Sequence, residues 1–547
     1  MILWHLRLLS STDSRIPRVR RAAQVAVAGL TAGCDLDCGS FYTDHGNEAV
    51  SLGLLSNATI DQALTRVFTM RIRLGEFDPL ETVPYNKLNV NDSDSQPHRE
   101  SALRAARESI VLLNNSLRLL PVTPGPAAGA AAAVGGAGAV LKKKLKKLAC
   151  IGILANSTRL NGGAPSGGVE MGGKNDYNPA FIASPLDGLR HVYQEGHGVE
   201  VGYEKGLVGD TDMNTSLFPA AVALAKASDV TVVVVGLDGS NEGEGHDRQN
   251  ITLLGVQLEL VQALHAAVGV QRLVVVLVNG GQLSVDWIKR NCPTVIEALE
   301  GGQSGGVALA EIISGAVAPS GVLPYTMYPD DYLSQVVHQD MSMRKAPGRS
   351  YRFYTGEPLW PFGFSGSYTT WEMVWAQPHP QPRSPQDDDD DGMQQQQQSL
   401  AALPVRSLEE GILLRVRVYN RGTVDSAKAL LFFASVELAG SGSDAEGHME
   451  TEQEDEKKEG AEQTTMATGR GDSSFKPPLR SLFAVEKVHV PAGASVEVVV
   501  NSTNLPGACA FCTVDESGVA AVRRGTYTIT VGDGTRSEIK PLVLTAT

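Results

Sequence analysis

Residues 229–235 read Asp-Val-Thr-Val-Val-Val-Val, and no other stretch restricts the fold as strongly. The run is too short for a core helix and has no polar alternation. It reads as a strand buried on both faces. Such strands belong to mainly parallel sheets with helices packed on each side. The neighbouring sequence agrees. Strand patterns at 148–154, 199–203, 230–236, 273–279 and 294–299 alternate with helix patterns at about 185–193, 217–227, 256–268 and 304–315. Gly315 closes the last helix, and Asp286 falls in a short one. A further helix is predicted over 98–115, with Leu103, Ala106, Ile110 and Leu113 on its apolar face. The turn Gly301-Gly302-Gln303-Ser304-Gly305-Gly306 invites a dinucleotide reading. It departs from G-x-G-x-x-G and lacks the usual acidic residue downstream.

The buried run leads straight into Gly236–Arg248, which reads GLDGSNEGEGHDR. In open α/β sheets, ligands sit outside the carboxyl ends of the strands. Asp238, Glu242, Glu244 and Asp247 lie at such an end, with Arg248 beside them. The plain alternative is a solvated acidic loop.

The flanks are of different character. Residues 22–39 predict a small-residue helix leading to Asp35 and Asp37, and Ser56 is an N-cap signal for a helix through about Arg73. Leu64, Phe68, Ile72 and Leu74 give that helix an apolar face. This opening block is too small to be a domain and needs a surface to pack on. Residues 124–140 are almost entirely Ala, Gly and Pro, followed by LKKKLKK, which reads as a flexible insertion rather than a membrane anchor. An aromatic, Gly/Pro-rich connector covers 346–371, and 377–398 is low-complexity sequence. From Gly411 strict alternation sets in, in LLRVRVYN, ALLFFASVEL, LFAVEKVHV, SVEVVVNS and GTYTITVGD, which predicts an antiparallel sandwich. An acidic insert at 440–474 interrupts it, and its Arg470-Gly471-Asp472 is read as a chance match.

A net charge of −14 argues against general binding to nucleic acid or anionic membranes. No run of about 18 apolar residues exists, so no transmembrane helix is expected. Six cysteines in 547 residues do not make a disulfide scaffold. Cys34 and Cys38 are close together, as are Cys509 and Cys512; a local disulfide or free thiols are expected there, and a shared zinc site is the lesser reading. Sequons at Asn57, Asn91, Asn114, Asn156, Asn214, Asn250 and Asn501 permit a secreted glycoprotein. The start, MILWHLRLL followed by Arg15, Arg18, Arg20 and Arg21, is not a clean signal peptide.

Taken together, several segments resemble glycoside hydrolase family 3, in particular its β-xylosidase and α-L-arabinofuranosidase branch. They are AGCDLDCGSFY (32–42), LGLLSNATIDQALTRVFTMRIRLGEFDP (52–79), ARESIVLLNN (106–115), GLDGSNEGEGHDR (236–248), NGGQLSVDW (279–287), PSGVLPYTMYPDDY (319–332), PGRSYRFYTGEPLWPFGFSGSYT (347–369), PLRSLFAVEKVHVPAGAS (478–495) and VDESGVAAVRRGTYTITVGD (514–533). The resemblance implies a (β/α)8 barrel, then an α/β sandwich domain, then a fibronectin type III-like β-sandwich. On this chain it implies the terminal piece of a barrel and a linker at 1–96, and the α/β domain at 97–345 with an insertion at 124–147. A connector follows at 346–375 and a low-complexity linker at 376–403. The fibronectin type III-like domain covers 404–547. It also implies an incomplete gene prediction, with barrel-coding sequence upstream of Met1.

Retaining glycosidases use two carboxyl groups about 5–5.5 Å apart, one attacking the anomeric carbon and one acting as acid and then base. The resemblance assigns the acid/base to the 236–248 loop. Glu244 is favoured because Gly-x-Asp-Arg follows it, with Glu242 the alternative. Asp247 and Arg248 are assigned to bracing the loop. The family's nucleophile, an Asp in an S-D-x-x-type segment, has no match here. Ser11-Thr12-Asp13-Ser14 sits among arginines and not on a strand, and the family does not use the Asp35/Asp37 motif for attack. The chain by itself is therefore expected to be inactive or nearly so. The resemblance implies no cofactor and no metal, an oligosaccharide or aryl glycoside as partner, and an extracellular or cell-wall location. The rival readings are a non-catalytic carbohydrate-binding or scaffold protein and a nucleotide-binding α/β protein.

Overall fold

The computed structural model describes residues 18–89, 92, 95–123, 144–157, 182–237, 248–337, 340–376, 401–439, 477–502, 510–514 and 519–547. The chain divides into two compact units, Met1–Ser95 and Gln96–Thr547. No described helix is long and apolar enough to cross a membrane.

The first unit holds helices α1 (Arg18–Thr31), α2 (Phe41–Ser51) and α3 (Asn57–Arg73). Its core is small: Ala23, Leu30, Ala49, Leu55 and Ala63. Ser56 caps α3 by accepting from the Thr59 amide. The sequence reading placed a strand–helix end of a barrel here. Among the described residues of this unit no strand forms. A lone strand would leave its backbone donors and acceptors without a neighbour. Leu64, Phe68, Ile72 and Leu74 are exposed along α3.

The second unit opens with α4 (Gln96–Ser109) and β1 (Val111–Asn115). The helix predicted over 98–115 is thus corrected: its last turn and a half is a strand. Ile110 to Leu113 are apolar on every side, so the run is buried on both faces and suits a sheet better than an amphipathic helix. There follow β2 (Lys147–Ile151), α5 (Pro185–Leu189), β3 (Glu200–Glu204), α6 (Phe218–Lys226) and β4 (Val230–Gly236). The unit continues through α7 (Gln257–Val268), β5 (Leu273–Val278), α8 (Asp286–Asn291), β6 (Thr294–Glu297) and α9 (Gly305–Ser314). Sheet order is β1-β6-β5-β4-β2-β3, parallel throughout except for β1, which runs antiparallel to β6.

Alternate valines of β4 feed opposite cores. Val230, Val232 and Val234 pack with Leu186, Leu309 and Ile313 on one face, and Val233 and Val235 with Ala221, Leu260 and Leu264 on the other. Full burial of each such side chain stabilises by roughly 1.5–3 kcal/mol. On the first face, α5 and α9 meet backbone to backbone. A Cβ on Gly306 would lie 2.0 Å from the Ser184 carbonyl oxygen, and one on Gly188 would lie 2.0 Å from the Gly306 oxygen. Gly306, the last residue of the turn that invited a dinucleotide reading, is required by this packing.

The remaining strands form two further sheets. β11 (Ser481–Val490), β10 (Ser426–Leu438), β15 (Gly525–Val531), β16 (Leu542–Ala546) and β8 (Ala401–Leu403) make one in that spatial order. β12 (Ser495–Asn501), β9 (Leu413–Asn420) and β7 (Trp371–Trp375) make the other. Their shared core includes Phe432, Tyr527, Ile529, Val416 and Val498. β7 comes from the end of the connector and pairs with β9, so the chain enters the sandwich before its low-complexity stretch. β8 pairs in parallel with β16, an exception to the antiparallel expectation.

Candidate active site

The order β6-β5-β4-β2-β3 reverses direction between β4 and β2, which makes the crevice beyond their carboxyl ends a topological switch point. The acidic loop departs from β4 at that crevice. Glu242, Glu244, Asp238 and Asp247 lie outside the described residues; the two ends of the loop do not.

At the entrance, Gly236 has φ 151, and a Cβ there would lie 1.8 Å from the Val278 carbonyl oxygen. Only glycine fits so close a backbone approach. Gln257, the first residue of α7, is fully buried beneath it. Its Oε1 accepts from the Gly236 amide at 2.8 Å, and its Nε2 donates to the carbonyls of Gly236 at 2.9 Å and Asp210 at 3.1 Å. One side-chain amide thus replaces the ladder partners that β4 loses where the loop leaves. Gln257→Leu is expected to destabilise the fold by about 3 kcal/mol, because buried backbone groups lose their partners. Urea denaturation would show this as a lowered midpoint, and amide exchange at Gly236 would accelerate.

At the exit, Arg248 donates from Nη2 to the Gln282 carbonyl at 3.0 Å. Gln282 belongs to the 279–284 segment that follows β5. Ser284 anchors this segment, its amide donating to the Ile251 carbonyl and its hydroxyl to the Tyr328 carbonyl. Asn279 is fully buried at the end of β5. Its Nδ2 donates to the Gly281 carbonyl and the Tyr325 hydroxyl, while its Oδ1 lacks a partner among the described residues. Glu297, also fully buried, ends β6 and accepts from the Leu299 amide. Gly236, Asn279 and Glu297 therefore mark three consecutive strand ends. The sequence reading passed over Gln257, Asn279 and Glu297. For Asn279 and Glu297 a polar residue at the edge of an otherwise apolar run was the available signal; Gln257 had none.

Two carboxylates considered as alternatives are occupied structurally. Asp35 takes a bidentate pair from Arg66, Nε at 2.8 Å and Nη2 at 2.6 Å, which holds its carboxyl below the usual value. Asp37 accepts from the amides of Phe41 and Tyr42 and so caps the first turn of α2. Asp13 lies outside the described residues. Cys512 is disulfide-bonded, which removes it from any thiolate set for zinc, and Cys34 and Cys38 are free.

A carboxyl pair lies close by in sequence. Burial and the neighbouring Asp286 push Asp330 up to about 6. Asp286 in turn accepts from the Asp330 amide at 2.9 Å and pairs with Arg290 at 3.3 Å. A carboxyl raised in the folded state holds a proton that the unfolded chain gives up sooner. Its contribution is most favourable below the ordinary carboxylate range and is lost as pH rises through about 6. Asp330→Asn is expected to flatten the dependence of thermal stability on pH between about 4 and 7, as thermal melts across that range would show.

The profile of the "Glycosyl hydrolase family 3 C-terminal domain" matches residues 110–368. This chain carries a family 3 glycosyl hydrolase C-terminal domain. It is 36% identical over 362 residues to a probable exo-1,4-beta-xylosidase, xlnD, of Neosartorya fischeri, covering 64% of this chain and 41% of that protein. It is 31% identical over 522 residues to Beta-D-xylosidase 1 of Arabidopsis thaliana, covering 93% of this chain and 58% of that protein. The chain thus spans about half the length of these relatives. Among solved structures, a family 3 exo-beta-xylosidase, XlnD, in complex with a xylobiose aziridine probe superposes with a TM-score of 0.70. That match has 24% identity and covers 97% of this chain and 60% of the other, which establishes a shared fold. The acidic loop lies inside the matched family 3 region.

Proposed function

We propose that this chain supplies the acid/base half of a retaining β-xylosidase-type glycosidase, with Glu244 as the acid/base and Glu242 as the alternative. The observation that carries the reading is the root of the loop. A carboxylate-rich segment within the family 3 region leaves the central strand at the switch point, with Gln257 pinning its entrance and Arg248 its exit. Asp247 joins Arg248 in bracing it.

The mechanism divides between two carboxyls. Glu244 protonates the glycosidic oxygen as the bond to the anomeric carbon breaks, then takes the proton from the water that releases the sugar. A general acid at neutral pH needs a raised pKa, which neighbouring carboxylates or exclusion of water would supply. The second carboxyl, the nucleophile, is assigned to no residue of this chain, so the polypeptide alone turns over little or no glycoside. The substrate class is an oligosaccharide of xylan type or an aryl glycoside, and the location is extracellular or the cell wall. In domain terms, 1–96 is the end of a barrel with its linker, 97–345 the α/β sandwich, and 404–547 a fibronectin type III-like sandwich. The likeness to named xylosidases favours this reading over a purely carbohydrate-binding scaffold. Nitrophenol release from aryl β-xyloside and α-L-arabinofuranoside, by the chain and by its Glu244→Gln variant, tests it.

A further inference from the structure

A cavity of about 100 Å3 opens to solvent well away in sequence from the acidic loop. One wall is the connector, with Tyr351, Tyr354 and Phe362; the other comes from the sandwich loops, with Leu479, Arg480 and Thr535. The walls are tied together. The Gly534 amide donates to the Phe362 carbonyl at 2.6 Å, the Leu479 amide to the Arg352 carbonyl at 2.8 Å, and the Leu482 amide to the Tyr351 hydroxyl at 3.4 Å. Tyr351 stacks on Phe362 with centroids 4.4 Å apart and both rings meet Phe433 edge-on, which fixes the aromatic wall.

The polar group in this cavity is unusual. Arg480 is half-buried, and its guanidinium forms no hydrogen bond or ion pair among the described residues. Burial pulls its pKa below the ordinary guanidinium value, against the attraction of Asp533. Asp533 is already engaged by its own loop, accepting from the amide and hydroxyl of Thr535 and the amide of Arg536, with the Arg536 guanidinium at 3.4 Å. The Tyr354 hydroxyl likewise has no hydrogen-bond partner among the described residues. A cation partly withdrawn from water and left without a protein partner is favoured by an anion that completes it. The guanidinium fork matches a carboxylate in two parallel hydrogen bonds. Sugars present an apolar C–H face suited to fixed aromatic rings, and hydroxyls suited to phenol and threonine.

We propose that this cavity binds a carboxylate-bearing sugar, with Arg480 holding the carboxylate and the connector aromatics receiving the ring. The site has no role in bond cleavage and is independent of the glycosidase reading.

The test is calorimetric titration of the full chain with methyl β-D-glucuronide, methyl β-D-glucoside and inorganic phosphate, at two salt concentrations. The glucuronide is expected to bind at least about tenfold more tightly than the other two, since charge-assisted pairing to Arg480 and ring contact are both required. The preference is expected to weaken with salt. Arg480→Gln is expected to erase it. Leu479→Trp, at an exposed rim position, is expected to weaken glucuronide binding about tenfold by closing the mouth, and it decides the matter if Arg480→Gln does not fold. Equal affinity for glucoside and glucuronide, equal affinity for phosphate, no glucuronide binding, or binding unchanged in either folded variant would each overturn the proposal.

Discussion

Gly306→Ala is expected to cost about 3 kcal/mol or more of stability, at the upper end for a single added methyl. The new Cβ would sit 2.0 Å from the Ser184 oxygen and 2.3 Å from its carbonyl carbon. Neither is the movable end of a side chain. Relief requires α5 and α9 to separate, and both are held. The Gly306 amide donates to the Ala183 carbonyl, the Ala183 amide donates to the Gln303 carbonyl, and Ser184 and Asp187 close a capping box at the start of α5. Gly188→Ala strikes the same contact from the other side, at 2.0 Å from the Gly306 oxygen. The two substitutions together are expected to cost less than their sum, because the first already parts the helices. Chemical denaturation of the parent, the single variants and the double variant would measure this coupling. Strictly additive losses would mean that the two glycines do not share one contact.

The α/β unit was legible in the sequence because its central strands, β4 and β5, are apolar and buried almost throughout. Val230 to Gly236 came out with the predicted bounds, since valines that feed two cores leave no ambiguity of face. The segment 110–115 was misread for the same physical reason. An apolar run without periodicity fits a buried helix or a buried strand alike, and only the pairing of Val111–Asn115 with Thr294–Glu297 decides. β7 was hidden because Trp371–Trp375 pairs with Leu413–Asn420 across a low-complexity stretch, a long-range choice that no local window contains. At the site, the loop announced itself by its carboxylates. Gln257 did not, because its importance lies in three backbone groups that meet only after β4, α7 and the Asp210 turn have packed. Asp35 and Asp37, set aside as nucleophiles on the sequence, are engaged by Arg66 and by the α2 amides, which is a structural use.

Turnover is where the largest effect is expected. A retaining glycosidase without its nucleophile loses several powers of ten in rate, because the acid/base alone offers no route to the covalent intermediate. In a longer polypeptide that also holds the nucleophile, Glu244→Gln is expected to lower kcat by about 10²–10⁴-fold on xylobiose, whose alkoxide leaving group needs a proton. The loss should be far smaller in the bond-breaking step on nitrophenyl xyloside, whose leaving group departs unprotonated. Glu242→Gln is expected to leave that contrast absent. A reversal of the two variants would move the acid/base to Glu242.

The most direct measurement is nitrophenol release from aryl β-xyloside and α-L-arabinofuranoside by the purified 547-residue chain, beside its Glu244→Gln variant. The account predicts no release from either protein. Release by the parent, whether or not the variant retains it, would contradict it, placing a working nucleophile within this polypeptide and making Asp35, Asp37 and Asp13 the next residues to replace.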